Sequence, residues 1–182
     1  MNTSNYAVEH NRLMKDLKLA IHADLAKLSV DANGGRSILF VYPPIDEESY
    51  IADAKAELSG CDFIDLRQLY VEFIDNIGLD EFKEAYQEFS TELFSSANFE
   101  KTFHHSIMDA IRESYAHKRI PVLIHTGVIF GMCFSNIHIM EQEEVMHSSI
   151  PLVVFYPAAI HQDKIMFLDH QVASHYRCVV VK

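Results

Sequence analysis

Apolar positions in the first thirty residues recur every three or four places. Leu13, Met14, Leu17, Ile21, Leu25 and Leu28 predict one amphipathic helix over residues 5–30. Asp31-Ala-Asn-Gly-Gly35 ends it with a turn in which glycine takes positive φ. The pattern then changes to continuous apolar runs bounded by breakers. Ser37-Ile-Leu-Phe-Val-Tyr42 stops at Pro43 and Pro44, as a strand buried on both faces does. Asp46 to Leu58 reads as a helix with acids in its first turns, where they suit the helix dipole. Cys61 to Leu66 reads as a second strand. From Leu66 to about His117 the spacing is helical again, with apolar stripes through Phe73, Phe82 and Ile107 that predict two or three helices. Ile120 to His125 is the next strand, followed by a helix to about Met146; Ile150 to Tyr156 is another, stopped by Pro157. Lys164–Leu168 and Tyr176–Val181 close the chain as short strands whose nearness predicts an antiparallel edge pair.

Apolar strands alternating with helices specify an α/β fold: a three-layer sandwich with a largely parallel sheet and helices on both faces. No linker or repeat divides residues 1–182, so one domain is expected, with the helical segment 66–117 inserted between strands. Ligands of such sheets meet the carboxyl ends of the strands. Here that rule selects Tyr42, His125, Thr126, Gly127 and Tyr156 as a candidate cleft.

Charge adds a second candidate. The formal net charge is −11, which argues against bulk nucleic-acid binding; Lys118-Arg119 and the scattered Lys15, Lys18 and Lys27 make a poor basic patch. From Pro44 to Glu100 there are 15 Asp and Glu against Lys55, Arg67 and Lys83, a net of −12, and the remainder is near neutral. The excess accompanies the aromatic stripes, so Glu81, Glu84, Glu88 and Glu92 form a candidate dock for a basic protein patch, with a solvated acidic face as the alternative.

Motifs for chemistry are weak. Asn33-Gly-Gly-Arg-Ser37 precedes its strand and lacks the lysine of a phosphate-binding loop. Thr126-Gly-Val-Ile-Phe-Gly131 resembles part of the turn of short-chain dehydrogenases, but Cys133 replaces the last glycine and no Tyr-x-x-x-Lys follows. Among the 11 histidines, Glu144/His147 and His138/Glu141 have ligand spacing, yet a di-iron carboxylate site needs two Glu-x-x-His motifs and only one is present. His104 and His105 diverge on a helix, and His161, His170 and His175 lie in a polar stretch; surface and capping roles are expected. Cys61, Cys133 and Cys178 carry no catalytic signature and point to reduced thiols. The N-terminus has no apolar run of a signal peptide, and Ile120–Phe134 is too short and too interrupted to span a bilayer. A cytoplasmic protein is expected.

Ser37-Ile-Leu-Phe-Val-Tyr-Pro-Pro44 with its acidic helix, Ile120-Pro-Val-Leu-Ile-His-Thr-Gly-Val128, and Pro151-Leu-Val-Val-Phe-Tyr-Pro157 follow one another in an order and spacing that resembles the BrxB family. Ile165–Leu168 and Tyr176–Val181 extend the likeness over most of the chain, which departs from the family at Pro157-Ala-Ala159, where a Pro-Gly turn is usual. These proteins are small components of bacterial BREX phage-defence systems. The resemblance implies a non-catalytic accessory protein without cofactor or metal, whose partners are larger BREX proteins such as the ATPase and the phosphatase-like component. The competing reading is a small enzyme or nucleotide binder that uses the cleft at His125-Thr126-Gly127.

Overall fold

A computed structural model describes residues 3–95, 100–162, 164–173 and 177–182. His175 and Tyr176, noted above, lie outside the described residues. The chain is an α/β sandwich built on a seven-stranded, mostly parallel sheet. Its strands are β1 (Ser37–Tyr42), β2 (Cys61–Asp65), β3 (Ile120–Ile124), β4 (Leu152–His161), β5 (Lys164–Phe167), β6 (Gln171–Val172) and β7 (Cys178–Val181). Strands β2-β3-β4-β1-β7 lie side by side in that order, and every pairing among them is parallel.

Alternation along the central strands supplies both cores. Ile38, Phe40, Tyr42, Val122, Ile124, Val153 and Phe155 face one side. There they meet α1 (Thr3–Ile21), α2 (Leu25–Asp31) and α3 (Glu47–Glu57). Leu39, Val41, Leu123, Leu152, Val154 and Tyr156 face the other. That side is covered by α4 (Leu66–Ile77), α6 (Phe103–Ala116), α7 (Asn136–Met140) and α8 (Glu143–Met146). Each fully buried aliphatic or Phe side chain contributes about 1.5–3 kcal/mol, so neither face is dispensable. The helix α5 (Leu79–Phe89) belongs to the second side but buries no residue.

Three local expectations change. The N-terminal helix is two helices, because Asp24 takes an extended conformation and its carboxylate accepts the Ala26 amide, restarting the helix. The apolar spacing runs through this break without registering it. Between β3 and β4 there is no continuous helix; the chain makes a 3₁₀ turn at Thr126–Ile129 and reaches helix only at Asn136. The antiparallel edge also forms elsewhere. Strand β4 outruns the parallel sheet, and its last residues pair with β5 through Ala158–Phe167 to His161–Lys164. Strand β7 returns to the opposite edge and runs parallel to β1. A tight turn makes β4 and β5 neighbours, whereas the longer path from β5 to β7 allows a crossing.

Two glycines are required by their surroundings. A Cβ on Gly35 would sit 1.8 Å from the Arg177 carbonyl oxygen, where the turn into β1 passes the start of β7. Gly78, at φ 94°, separates α4 from α5. Among the described residues no helix is long and apolar enough to cross a membrane.

Candidate functional site

The carboxyl ends of β2 and β3 and the first turn of α3 meet at His125. Asp65 ends β2 and caps α4 by accepting the Arg67 amide at 3.0 Å. Glu48 lies in the first turn of α3, which follows β1. His125 directly follows β3 in the left-handed region, at φ 55°, with 4% of its surface exposed. Non-glycine residues occupy that region uncommonly, Asn, Asp and His more often than others. Its Nε2 lies 3.2 Å from Glu48 Oε1 in hydrogen-bonding geometry. Its Nδ1 lies 2.8 Å from Asp65 Oδ1, outside the alignment of a hydrogen bond. Arg67 completes the cluster, 3.2 Å from Glu48 and 3.7 Å from Asp65. Burial acts to raise the Asp65 carboxyl, but His125 and Arg67 outweigh it and hold the group below its ordinary 3.8.

This cluster fastens strand ends together. No hydroxyl or thiol nucleophile bonds to His125 among the described residues. Thr126 donates its hydroxyl to the Phe155 carbonyl at 2.6 Å, and Tyr42 donates to Glu47 at 2.7 Å. Nor do the five predicted cleft residues converge. Register pairs Val41 with Tyr156 and Tyr42 with Pro157, so the two tyrosines leave opposite faces of the sheet. Tyr42 joins the aromatic group of Phe40, Tyr50 and Phe155, while Tyr156 stacks on Phe167 with ring centroids 4.5 Å apart. Gly127 lies in the 3₁₀ turn beside Leu168. The dehydrogenase-like turn also lacks a helix start: Gly131, at φ 80°, stands five residues before α7.

The histidines with ligand spacing have other work. His105 and His138 close capping boxes, accepting the Thr102 and Ser135 amides at the starts of α6 and α7. Glu144 pairs with Arg112 at 2.7 Å, and the His147 ring bonds the Glu143 carbonyl oxygen.

The acidic candidate has a different geometry. Glu81, Glu84 and Glu88 fall within about 60° of one another around α5. Glu92 follows in a 3₁₀ turn, Ser90–Phe94. All four are exposed, and none makes an ion pair or side-chain hydrogen bond with a described residue. Turned about 80–160° around α5 from Glu81, Glu84 and Glu88, Phe82 is half-buried, and Tyr86 and Phe89 remain 43% and 37% exposed. Beside this aromatic side lies a depression of about 330 Å³ lined by Tyr70, Phe82, Tyr86, Phe94, Phe130 and Met132, among others, with no charged residue among the described ones. A second, of about 250 Å³, lies across Phe130-Gly131-Met132 and includes Cys133, Asn136, Tyr156 and Phe167.

Sequence reasoning missed Glu48 and Asp65 as partners of His125, and Arg67 as the partner of both, because Glu48 and Asp65 lie 77 and 60 residues from His125 along the chain. It also missed Phe130 and Met132 as groove residues. Their signal was an apolar run between Gly127 and Gly131 that does not continue as a helix.

Comparison of the chain with protein-family models, with curated proteins and with solved structures gives no match.

Proposed function

We propose that the chain is a non-catalytic accessory protein that binds a larger protein through the acidic and aromatic sides of α5. One observation carries this reading: α5 is amphipathic, yet none of its residues is buried. A helix with an apolar stripe gains its stability by covering that stripe, and here the cover is incomplete. The row of unpaired carboxylates farther around the helix attracts a basic surface and sets its register. The resemblance to BrxB supplies the identity of the partners, the ATPase or the phosphatase-like protein of a BREX system, in the bacterial cytoplasm.

The test is co-expression with those two proteins and affinity purification of the complex. Association is expected to weaken when Glu81, Glu84, Glu88 and Glu92 are together changed to Lys, and to weaken in the unaltered protein as salt rises. Association that ignores both changes removes the α5 face as the dock.

A further inference from the structure

Two helices of this chain begin with the same pattern. Thr102-Phe-His-His105 opens α6 and Ser135-Asn-Ile-His138 opens α7, each a Thr or Ser followed three places on by His. The usual capping box has Glu or Gln at that third position, and either accepts the amide of the capping residue across the neutral range. Histidine accepts it only through an unprotonated nitrogen. Here His105 Nδ1 accepts the Thr102 amide at 3.3 Å, and His138 Nδ1 accepts the Ser135 amide at 3.1 Å. A proton on Nδ1 turns either acceptor into a donor and breaks the bond. It also sets a positive charge against the positive end of a helix.

We infer that the junction of these two helix starts is a proton-operated latch, closed while His104, His105 and His138 are neutral and loosened when they take up protons.

Phe134 makes the two starts one junction. It immediately precedes Ser135 and is 4% exposed, with its ring centroid 6.2 Å from that of Phe103 and edge-on to His104 at 5.2 Å. Phe103 and Thr102 are themselves fully buried, so the start of α6 is out of water. His104 and His105 stand 6.4 Å apart, centroid to centroid. His104 Nε2 is buried and has no hydrogen-bond partner among the described residues. A proton there carries a charge to a place where neither water nor an acceptor meets it.

The surrounding charges give an imidazolium no support. His105 and Arg112 face His104 from its own helix, and His138 faces it from α7. Arg112 is held by Asp109 and by Glu144. Glu141, one turn beyond His138, is directed to Arg177 at 4.0 Å. Glu100 and Lys101, exposed just before Thr102, offset each other in charge. The histidine–carboxylate pairs among the described residues are those of His10, His125 and His161, so none of the three latch histidines has one. Burial holds the His104 ring below its ordinary 6.5, against a hydrogen bond to the His138 backbone that acts the other way. The contribution of its neutral form is therefore fully present above 6.5 and is lost as pH falls through the lower folded value.

The experiment uses the full chain and the double variant His105→Gln/His138→Gln, whose amide oxygens accept the same backbone N–H groups at every pH. Urea unfolding is followed from about pH 7.5 to about pH 5, a span that brackets the ordinary histidine range. Over that span the unfolding equilibrium constant should rise about tenfold more in the unaltered protein than in the variant, the size of one to two lost helix caps. All other titrating groups are common to both proteins, so the difference reports the two caps. In parallel, hydrogen-exchange protection of the Thr102 and Ser135 amides, corrected for the intrinsic rate, should fall with pH in the unaltered chain and hold in the variant. Ring NMR of His104 should show it titrating below 6.5. Equal pH dependence of unfolding in the two proteins overturns the proposal. So does protection at Thr102 and Ser135 that ignores pH in the unaltered chain, a measurement that decides alone if the variant does not fold.

Discussion

Helices α3 and α5 are each 11 residues long, and each contains four carboxylates and one lysine. Their fates differ. In α3, Tyr50, Ile51 and Ala54 are buried against the sheet. Every one of its carboxylates reaches another element or strand end. Glu47 accepts from Tyr42 at 2.7 Å, and Glu48 meets His125 and Arg67, both at 3.2 Å. Asp53 holds His10 at 2.7 Å, and Glu57 holds Lys18 at 2.5 Å. In α5 the one pair among the described residues is local, Asp80 with Lys83, and Glu81, Glu84 and Glu88 have none there. Equal acidity therefore has two meanings. In α3 it cross-links the fold; in α5 it faces outward, away from an aromatic side that packs only partly on the core. The acidic segment Pro44 to Glu100, read as one feature in the sequence, divides into an internal half and an outward half.

The contrast can be broken most directly in its apolar residues. Tyr50, 1% exposed and stacked on His10 at 4.1 Å, should cost about 3–5 kcal/mol when changed to Ala, the range for a buried aromatic side chain. Leu79→Ala in α5, at a residue 57% exposed, should cost less than about 1 kcal/mol. Urea unfolding of both variants checks the pair, and similar midpoints would erase the distinction. Next in size is His125→Ala, which leaves Asp65 and Glu48 without their shared imidazole and should cost about 1–3 kcal/mol. A shift in the unfolding midpoint no larger than that of a surface substitution would show that the strand-end cluster is not a fastener.

Carboxylate by carboxylate, Asp53→Ala should destabilise by about 1 kcal/mol because it leaves the buried His10 Nε2 without its partner. Glu88→Ala should stay within about 0.5 kcal/mol of the unaltered protein. A Glu88 effect equal to that of Asp53 would mean that α5 carboxylates also brace the fold. The smallest effect concerns acid. The Asp65 carboxyl lies lower in the folded chain than in the unfolded one, so its contribution is fully present above its ordinary 3.8 and is lost as pH falls through the lower folded value. The stability gap between the unaltered protein and Asp65→Asn should therefore be constant near neutrality and close in acid. A gap that widens in acid would reverse the sign assigned to this group.

These particulars mark how far the sequence could be read. The runs at Ser37–Tyr42, Ile120–Ile124 and Leu152–Tyr156 are strands, and the stripes at Leu13–Leu28 and Phe103–Tyr115 are helical, because period and breakers are local properties of the chain. Breaks set by one side chain, such as Asp24 over Ala26, are also local but leave the apolar period untouched, so they pass unseen. The proposed cleft failed for a different reason. Whether Tyr42 and Tyr156 share a face depends on the register between β1 and β4, and a shift of one residue inverts it. Likewise the contact of Glu48 with His125, and the lack of one for Glu84, depend on which elements pack together.

Composition and periodicity thus determined the class of fold, the alternating two-faced core and the excess of acid in one stretch. Tertiary structure alone decided which acids are paired, which face each strand-end side chain takes, and that α5 fully buries none of its residues. Periodicity comes from bonds between near neighbours, whereas pairing and register come from contacts between distant segments, whose energies no single stretch of chain contains.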